Sequence, residues 1–467
     1  MILERSKLRP LVLVSTLLVL LAGGVVLANG MLQTVLFVIL AFSAIVASAA
    51  LWPEVLVMAF LFAGRHDFEP RLAPFDAPLS LNQLMLVGLV GLALVNAAHL
   101  GRVLRTWSMA TMLIFGLTLA LGLGWSYGLD YGVSKVTRTW LVVIPGVLIA
   151  ATLVERRRSL LPLVGATFIV GFALNAAGLL TFEQSMVGNR LSALGSGPII
   201  FARTVGLSLL ISLLSLVWFV QNGARTARDR LIVALCLGSV AIVLPGFVLA
   251  QSRGPVLGLA AAMTTVLVLA LYGNWRVIFA GIGLGYALFR GSAIILTTML
   301  DRTRFDLTQK SNQAGLDGRM DHLSSSWNLI VSHPLMGVGT GGWPVSIYGI
   351  DERAYPHNFF AEVASENGVP MMLLITGLFA FVILRGFLVW FRSRAQKERF
   401  VLMCSLATFM YFAVNISVTG DSIDNRLVWL SVAAVELSAR FAKTSTTRYR
   451  TSRVASPAVA WPRPPVR

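Results

Sequence analysis

The chain has 467 residues, 56% of them hydrophobic and only 13% charged, with a mean hydropathy of +0.78. Such a composition excludes an ordinary soluble domain and indicates an integral membrane protein. The formal charge of +17 would suit a nucleic-acid binder, but Lys and Arg also collect in the cytoplasmic loops of polytopic proteins, so their placement decides.

Crossing about 30 Å of hydrocarbon takes roughly 20 apolar residues in a helix. Apolar runs predict helices at about 10–29, 31–50, 53–64, 81–98, 107–125, 139–154, 160–180, 199–220, 231–250, 254–272, 275–298, 369–391, 400–418 and 426–441. The first follows Arg5, Lys7 and Arg9. It is longer than a signal-peptide core of about 7–15 residues, and Ala28-Asn29-Gly30 is a poor cleavage site, so it reads as a retained helix.

The third run is short, and the basic loops test whether it crosses. With about fourteen spans and an inside N-terminus, Arg102/Arg105, Arg156-Arg157-Arg158, Arg225/Arg228/Arg230, Arg392/Arg394/Lys397/Arg399 and the tail from Lys443 all fall on the cytoplasmic face. Mixed or acidic loops, such as Asp67/Glu69/Asp76 and Asp421/Asp424, fall opposite. Topology thus accounts for the charge, and nucleic acid is not an expected partner. The expected fold is an all-α polytopic bundle: eleven spans over 1–298, a large periplasmic loop with short helices over 299–368, three spans over 369–441, and a basic, Pro-rich cytoplasmic tail over 442–467 with little to fold around. Both termini are expected in the cytoplasm. Cys236 and Cys404 lie in apolar runs without metal-ligand spacing, so neither a disulfide framework nor a metal site is expected.

Four arginines run against the charge rule: Arg190, Arg203, Arg253 and the deeper Arg290. Arginine at the bilayer centre costs about 2.5–3.5 kcal/mol on insertion scales, so such residues snorkel to the interface or face a protein cavity. Both readings stand for Arg203 and Arg290. Arg253 lies in "AQSRGPVLG", a turn too short to need a cation, where a functional role is favoured. Guanidiniums converging there would bind a lipid-linked phosphate or pyrophosphate through their planar forks.

The loop holds the remaining chemistry. "GLDGRMDHLSSSWNLIVSHPLMGVGTGGW" predicts a helix from about Gly318 to Pro334, then a glycine turn. Gly337, Gly339, Gly341 and Gly342 match no P-loop and lack its lysine, so a tight turn is preferred over a phosphate cradle. In "YPHNFFAEVASENG", Pro356 suits a first helical turn, Asn358, Glu362 and Glu366 fall on one polar face, and Gly368 ends the helix. His357 stands at its start. A lone loop histidine is more often structural than catalytic, and His66, His99, His322 and His333 compete with it.

"GRMDHLSSSWNLIVSHPLMGVGTGGW" followed by "HNFFAEVASENGVP" resembles the signature of the O-antigen ligase and polymerase superfamily. Arg190…Gly195…Pro198 and Ser252-Arg253-Gly254 are similar to two further family features, although Ile199 stands where the family often has Asn, which leaves Arg203 as the alternative to Arg190. The resemblance implies a GT-C-like, metal-independent membrane glycosyltransferase of the bacterial inner membrane. It would act in lipopolysaccharide or exopolysaccharide synthesis without a cofactor. It would move a glycan from undecaprenyl pyrophosphate to a sugar hydroxyl at the periplasmic face, the acceptor being lipid A-core for a ligase or a lipid-linked repeat unit for a polymerase.

On that reading His357 is the general base, Arg190, Arg203, Arg253 and Arg319 hold the pyrophosphate, and Asn358, Glu362 and Glu366 support the site by orienting His357 or the acceptor. Inversion is the simplest outcome. The alternative is a polysaccharide or lipid-linked sugar transporter. It is disfavoured because Asp and Glu are nearly absent from span centres and no two-half repeat is visible.

Overall fold

The computed structural model describes residues 51–63, 81–187, 190–193, 197–271, 310–393, 395–419 and 426–455. The predicted helices at 10–29, 31–50 and 275–298, and Arg290 with the last, lie outside them. Regular structure among the described residues is helical, apart from an isolated bridge between Met186 and Leu191.

The helices are α1 (Pro53–Ala63), α2 (Leu81–Val95), α3 (Ala97–Leu104), α4 (Trp107–Gly122), α5 (Leu129–Arg157), α6 (Leu161–Leu180), α7 (Pro198–Asn222), α8 (Ala227–Leu249) and α9 (Arg253–Leu271). After the undescribed stretch come α10 (Lys310–Ser332), α11 (Gly342–Tyr348), α12 (Phe359–Asn367), α13 (Val369–Arg392), α14 (Gln396–Val418) and α15 (Arg426–Ala455). Among the described residues, eight helices are long and apolar enough to cross a membrane, or nine if the bent pair Met85–Val95 and Ala97–Leu104 is one span. Local chemistry sets several starts. Pro162, Pro198 and Pro370 occupy first-turn positions of α6, α7 and α13, where a missing N–H costs nothing. Thr226 and Asp229 form a capping box at the head of α8.

Several boundaries differ from expectation. The helix predicted from about Gly318 begins at Lys310, eight residues earlier. The helix predicted at 139–154 begins at Leu129 and passes through a π-turn at Thr139–Val143. Hydropathy ends it where polarity begins, but its polar Lys135 and Thr139 are buried against protein. The run predicted at 81–98 is bent by 91° around Asn96, whose side-chain oxygen accepts from Arg156 Nη1 at 3.0 Å and whose amide nitrogen donates to Leu92 O at 2.7 Å. Finally, α15 continues to Ala455, past the expected end at 441, and is not among the eight, its sequence being interrupted by Glu436, Arg440 and Lys443.

Helix alternation brings the turns after α4, α6, α8 and α14 to one end of the bundle, with the 333–368 segment beside them. Tyr127 N–H donates to Val338 O, and Thr340 N–H to Gly122 O, which fastens that segment to the α4–α5 turn. The Arg156–Arg158 and Arg225–Arg230 clusters lie at the other end. Beneath the 333–368 segment, Phe115, Phe359, Phe379, Phe409 and Trp429 form an aromatic core with ring centroids 5.2–6.4 Å apart, a spacing typical of edge-to-face contacts. Phe359 is fully buried there and anchors the first turn of α12.

Helices α9 and α14 pack closely because small residues leave room. A Cβ on Gly258 would lie 2.3 Å from Asn415 Nδ2 and 2.6 Å from Tyr411 O, and one on Gly254 would lie 2.8 Å from the Thr419 side chain. Gly254 and Gly258 are four residues apart, the small-xxx-small spacing that lets membrane helices approach. The contact carries the head of α9 up against Thr419.

Candidate functional site

Two groups of polar side chains occupy the end of the bundle that holds the 333–368 segment. The first collects arginines around the α8–α9 turn. Arg190 Nε donates to Ala250 O at 3.1 Å, and the neighbouring Leu191 N–H donates to Leu249 O at 3.0 Å, so the Arg190 segment lies along that turn. Gln251 adopts the left-handed conformation (φ 46°), Ser252 is buried, and Arg253 opens α9. Arg203, on the first turns of α7, is fully buried and donates through Nη2 to Thr419 O at 2.5 Å and Thr419 Oγ1 at 2.6 Å. Tyr411 Oη donates to Arg203 O at 2.9 Å. Arg203 therefore does not snorkel. It points into protein, at the same threonine that meets Gly254.

The second group surrounds His357. This residue precedes α12, whose N-cap is Asn358, with Oδ1 accepting from Ala361 N at 3.1 Å. The helix thus starts at Phe359, three residues after Pro356, and His357 sits outside it in the left-handed region (φ 58°). That conformation is uncommon for a non-glycine residue. Its ring stacks on His322 at 5.7 Å and 9°, and meets Tyr355 edge-on at 4.7 Å. His322 lies on α10 one turn after Arg319, with Nε2 2.6 Å from Tyr348 Oη. Burial pushes the His322 imidazole below its ordinary value; Asp321 opposes this and Arg319 adds to it.

What fixes the second group is a buried ion cluster that the sequence reading overlooks. Lys135 on α5 is fully buried, with Nζ 2.5 Å from Glu362 Oε1 and 2.8 Å from each carboxylate oxygen of Glu366. Glu366 Oε2 also accepts from Gly341 N at 3.0 Å. Glu362 and Glu366 do share one face of α12, as their spacing predicts, and both are buried on a lysine more than two hundred residues away. A signal existed, because Lys135 lies at the same end as the exceptional arginines and breaks the charge rule as they do.

The glycine turn is also settled. Val338 and Gly339 N–H donate to Ser365 O and Glu366 O, Thr340 N–H to Gly122 O, and Gly342 N–H to Gly339 O. With Gly341 engaged by Glu366, these donors serve the protein and not an anion. Gly339 (φ 83°) and Gly341 (φ 80°) need to be glycine, since a Cβ would fall 2.3 Å from Ser126 Cα and 2.4 Å from Gly132 N.

A cleft of about 520 Å³ opens beside Asn358, lined by Met320, Leu323, Trp327, Ile330, Phe360 and Met372. Of the other histidines, His99 contacts Arg102, His333 Nδ1 lies 2.9 Å from Ser332 Oγ, and His66 is outside the described residues.

Apolar helices long enough to span a membrane, with arginines and two stacked imidazoles gathered at one end, describe a multi-pass membrane protein with a polar site at one end of its bundle. Residues 238–376 match the family model described as O-Antigen ligase, and that segment supports the O-antigen ligase/polymerase superfamily and, with it, activity of the glycosyltransferase type. The match takes in Arg253, Arg319, His322 and His357 but stops short of Lys135, Arg190 and Arg203. No curated protein matches the chain.

Proposed function

We propose that this protein transfers a glycan from undecaprenyl pyrophosphate to a sugar hydroxyl at the periplasmic face of the bacterial inner membrane, as an O-antigen ligase or a polymerase. The observation that carries the reading is the gathering of arginines at the α8–α9 turn, where Arg190 bonds Ala250 O and where Arg203 and Gly254, next to Arg253, both meet Thr419, on the same end of the bundle as His357. Fixed cations there stabilise the charge that develops on the leaving pyrophosphate. Arg319 extends the positive field toward His357. The apolar cleft beside Asn358 suits the isoprenoid part of the donor.

His357 is the general base. It accepts the acceptor's hydroxyl proton as that oxygen bonds to the anomeric carbon and the bond from that carbon to the pyrophosphate oxygen breaks on the opposite side, with inversion. Glu362 and Glu366, neutralised by Lys135, hold the loop and do not exchange protons with substrate. The test is donor binding and transfer measured separately on purified protein in nanodiscs, for wild type and His357→Ala. Topology is checked by fusions: a reporter active only in the periplasm works at Thr308 and fails at Arg158. A silent reporter at Thr308 removes the periplasmic reading.

A further inference from the structure

His322 has no role in the mechanism above, yet its ring is held more firmly than a half-buried helix residue needs. Tyr348 Oη lies 2.6 Å from Nε2, and the Trp343 ring stands edge-on at 5.5 Å. Trp343 is itself fully buried and donates from Nε1 to Ser326 Oγ at 2.8 Å, one turn further along α10. The free face of the His322 ring is turned to His357, parallel within 9° at 5.7 Å, within the range for offset aromatic stacking.

The surroundings disfavour a charged ring. Tyr348 Oη and His322 Nε2 share one hydrogen bond in which either can donate, while Nδ1 is buried and has no hydrogen-bond partner among the described residues. A charged ring would need acceptors for both N–H groups; Tyr348 Oη can serve Nε2–H, but Nδ1–H would have none. The ionisable groups facing the pair are Asp321 and Arg319 on α10, Tyr348 on α11, and Tyr355 with Arg353 stacked over it on the far side of His357. The two arginines weigh against a second cation. His322 therefore stays neutral while His357 cycles.

We propose that His322 is a positioning residue for His357: its neutral ring, locked by Tyr348, fixes the plane of the His357 imidazole and presents a π face to the imidazolium that forms when His357 takes the acceptor's proton. The proton moves from the acceptor oxygen to His357 and leaves to solvent after product departs, and His322 exchanges none. The inference rests on the reading of His357 as general base.

The experiment compares His322→Leu with His322→Phe in full-length protein in nanodiscs, scoring kcat, donor KM and the pH–rate profile. Leu fills the space without a π face, and Phe keeps the face without a titratable group. Leucine is expected to lower kcat about 3- to 30-fold, the worth of a ring face to a cation, with donor KM within about twofold. It should also move the acidic limb toward lower pH by about half a unit or more, because the protonated form of His357 loses support. Phenylalanine should restore both. Equal impairment of the two variants, or a leucine variant with wild-type kcat and limb, overturns the proposal.

Should His322→Leu yield too little folded protein, Tyr348→Phe frees the ring without removing it. It must then lower kcat and shift the limb in the same direction, and wild-type behaviour overturns the proposal. Full activity in His357→Ala defeats the general-base reading itself, whereas an inactive His357→Ala beside a silent His322→Leu defeats only this inference.

Discussion

The arginine group and the histidine group sit at the same end of the bundle but are held by opposite means. Backbone proximity sets the arginines: Gly254 and Gly258 let α9 close on α14, and Thr419 and the carbonyl of Ala250 then receive guanidinium donors. A buried charge sets the histidine. Lys135 draws Glu362 and Glu366 inward, Glu366 holds Gly341, and α12 is fixed beneath the loop carrying His357. The proposed site for binding a charged leaving group thus rests on packing, and the proposed site for moving a proton rests on electrostatics. Substitutions in the two groups should fail in different ways.

The largest expected effect is at His357. Replacing it with alanine should lower the chemical step by roughly 10²–10⁴, the usual worth of positioned acid–base catalysis, and remove the rising limb of the pH–rate profile. Donor binding, assigned to the other group, should stay near wild type. A parallel loss of donor affinity would erase the division of labour between the groups.

Next is the ion cluster. Lys135→Met strands two buried carboxylates, which should cost about 3–5 kcal/mol of stability and loosen the histidine loop. Adding Glu362→Gln and Glu366→Gln should recover most of that loss, because uncompensated charge is its cause. Thermal unfolding in detergent measures both. If Lys135→Met alone unfolds like wild type, the loop is held by the aromatic anchor at Phe359 instead.

Third is Gly258→Ala. Its Cβ would meet Asn415 and a backbone oxygen at distances that require α9 and α14 to separate, an overpacking cost of about 1–3 kcal/mol. The head of α9 should shift with it, weakening donor binding while leaving the His357 pH limb in place.

The ease of reading the two groups in sequence follows the same division. The arginines stand out because each breaks a distribution rule that most of the chain obeys, and one sequence is enough to see that. The spacing of Gly254 and Gly258 is present in "SRGPVLG", but nothing in the sequence says which helix it meets. Most helices were placed within a few residues, since hydropathy reports them directly. The start of α5 was misplaced because hydropathy cannot distinguish a polar residue facing water from one buried on a partner. For the same reason the burial of Glu362 and Glu366 is not legible in sequence. Their spacing shows that they share a face, but nothing local says that a lysine far upstream covers it. The stack of His322 on His357 is likewise a meeting of distant segments.

The smallest predicted effect separates charge from geometry at Arg253. Arg253→Lys keeps the cation at the head of α9 and removes the planar fork, so insertion and fold should be unchanged. A guanidinium that grips pyrophosphate by two parallel hydrogen bonds loses one of them in lysine. Donor KM should therefore rise by about tenfold, equivalent to roughly 1.4 kcal/mol, while the pH dependence assigned to His357 stays where it is. Arg203, buried and donating twice to Thr419, has a different arrangement. There lysine would lose both donors to a buried partner, and stability should fall along with donor use. A lysine at 253 that matches wild type in donor titration would show that this cation only supplies field, and the grip on the leaving group would then belong to Arg190 and Arg203.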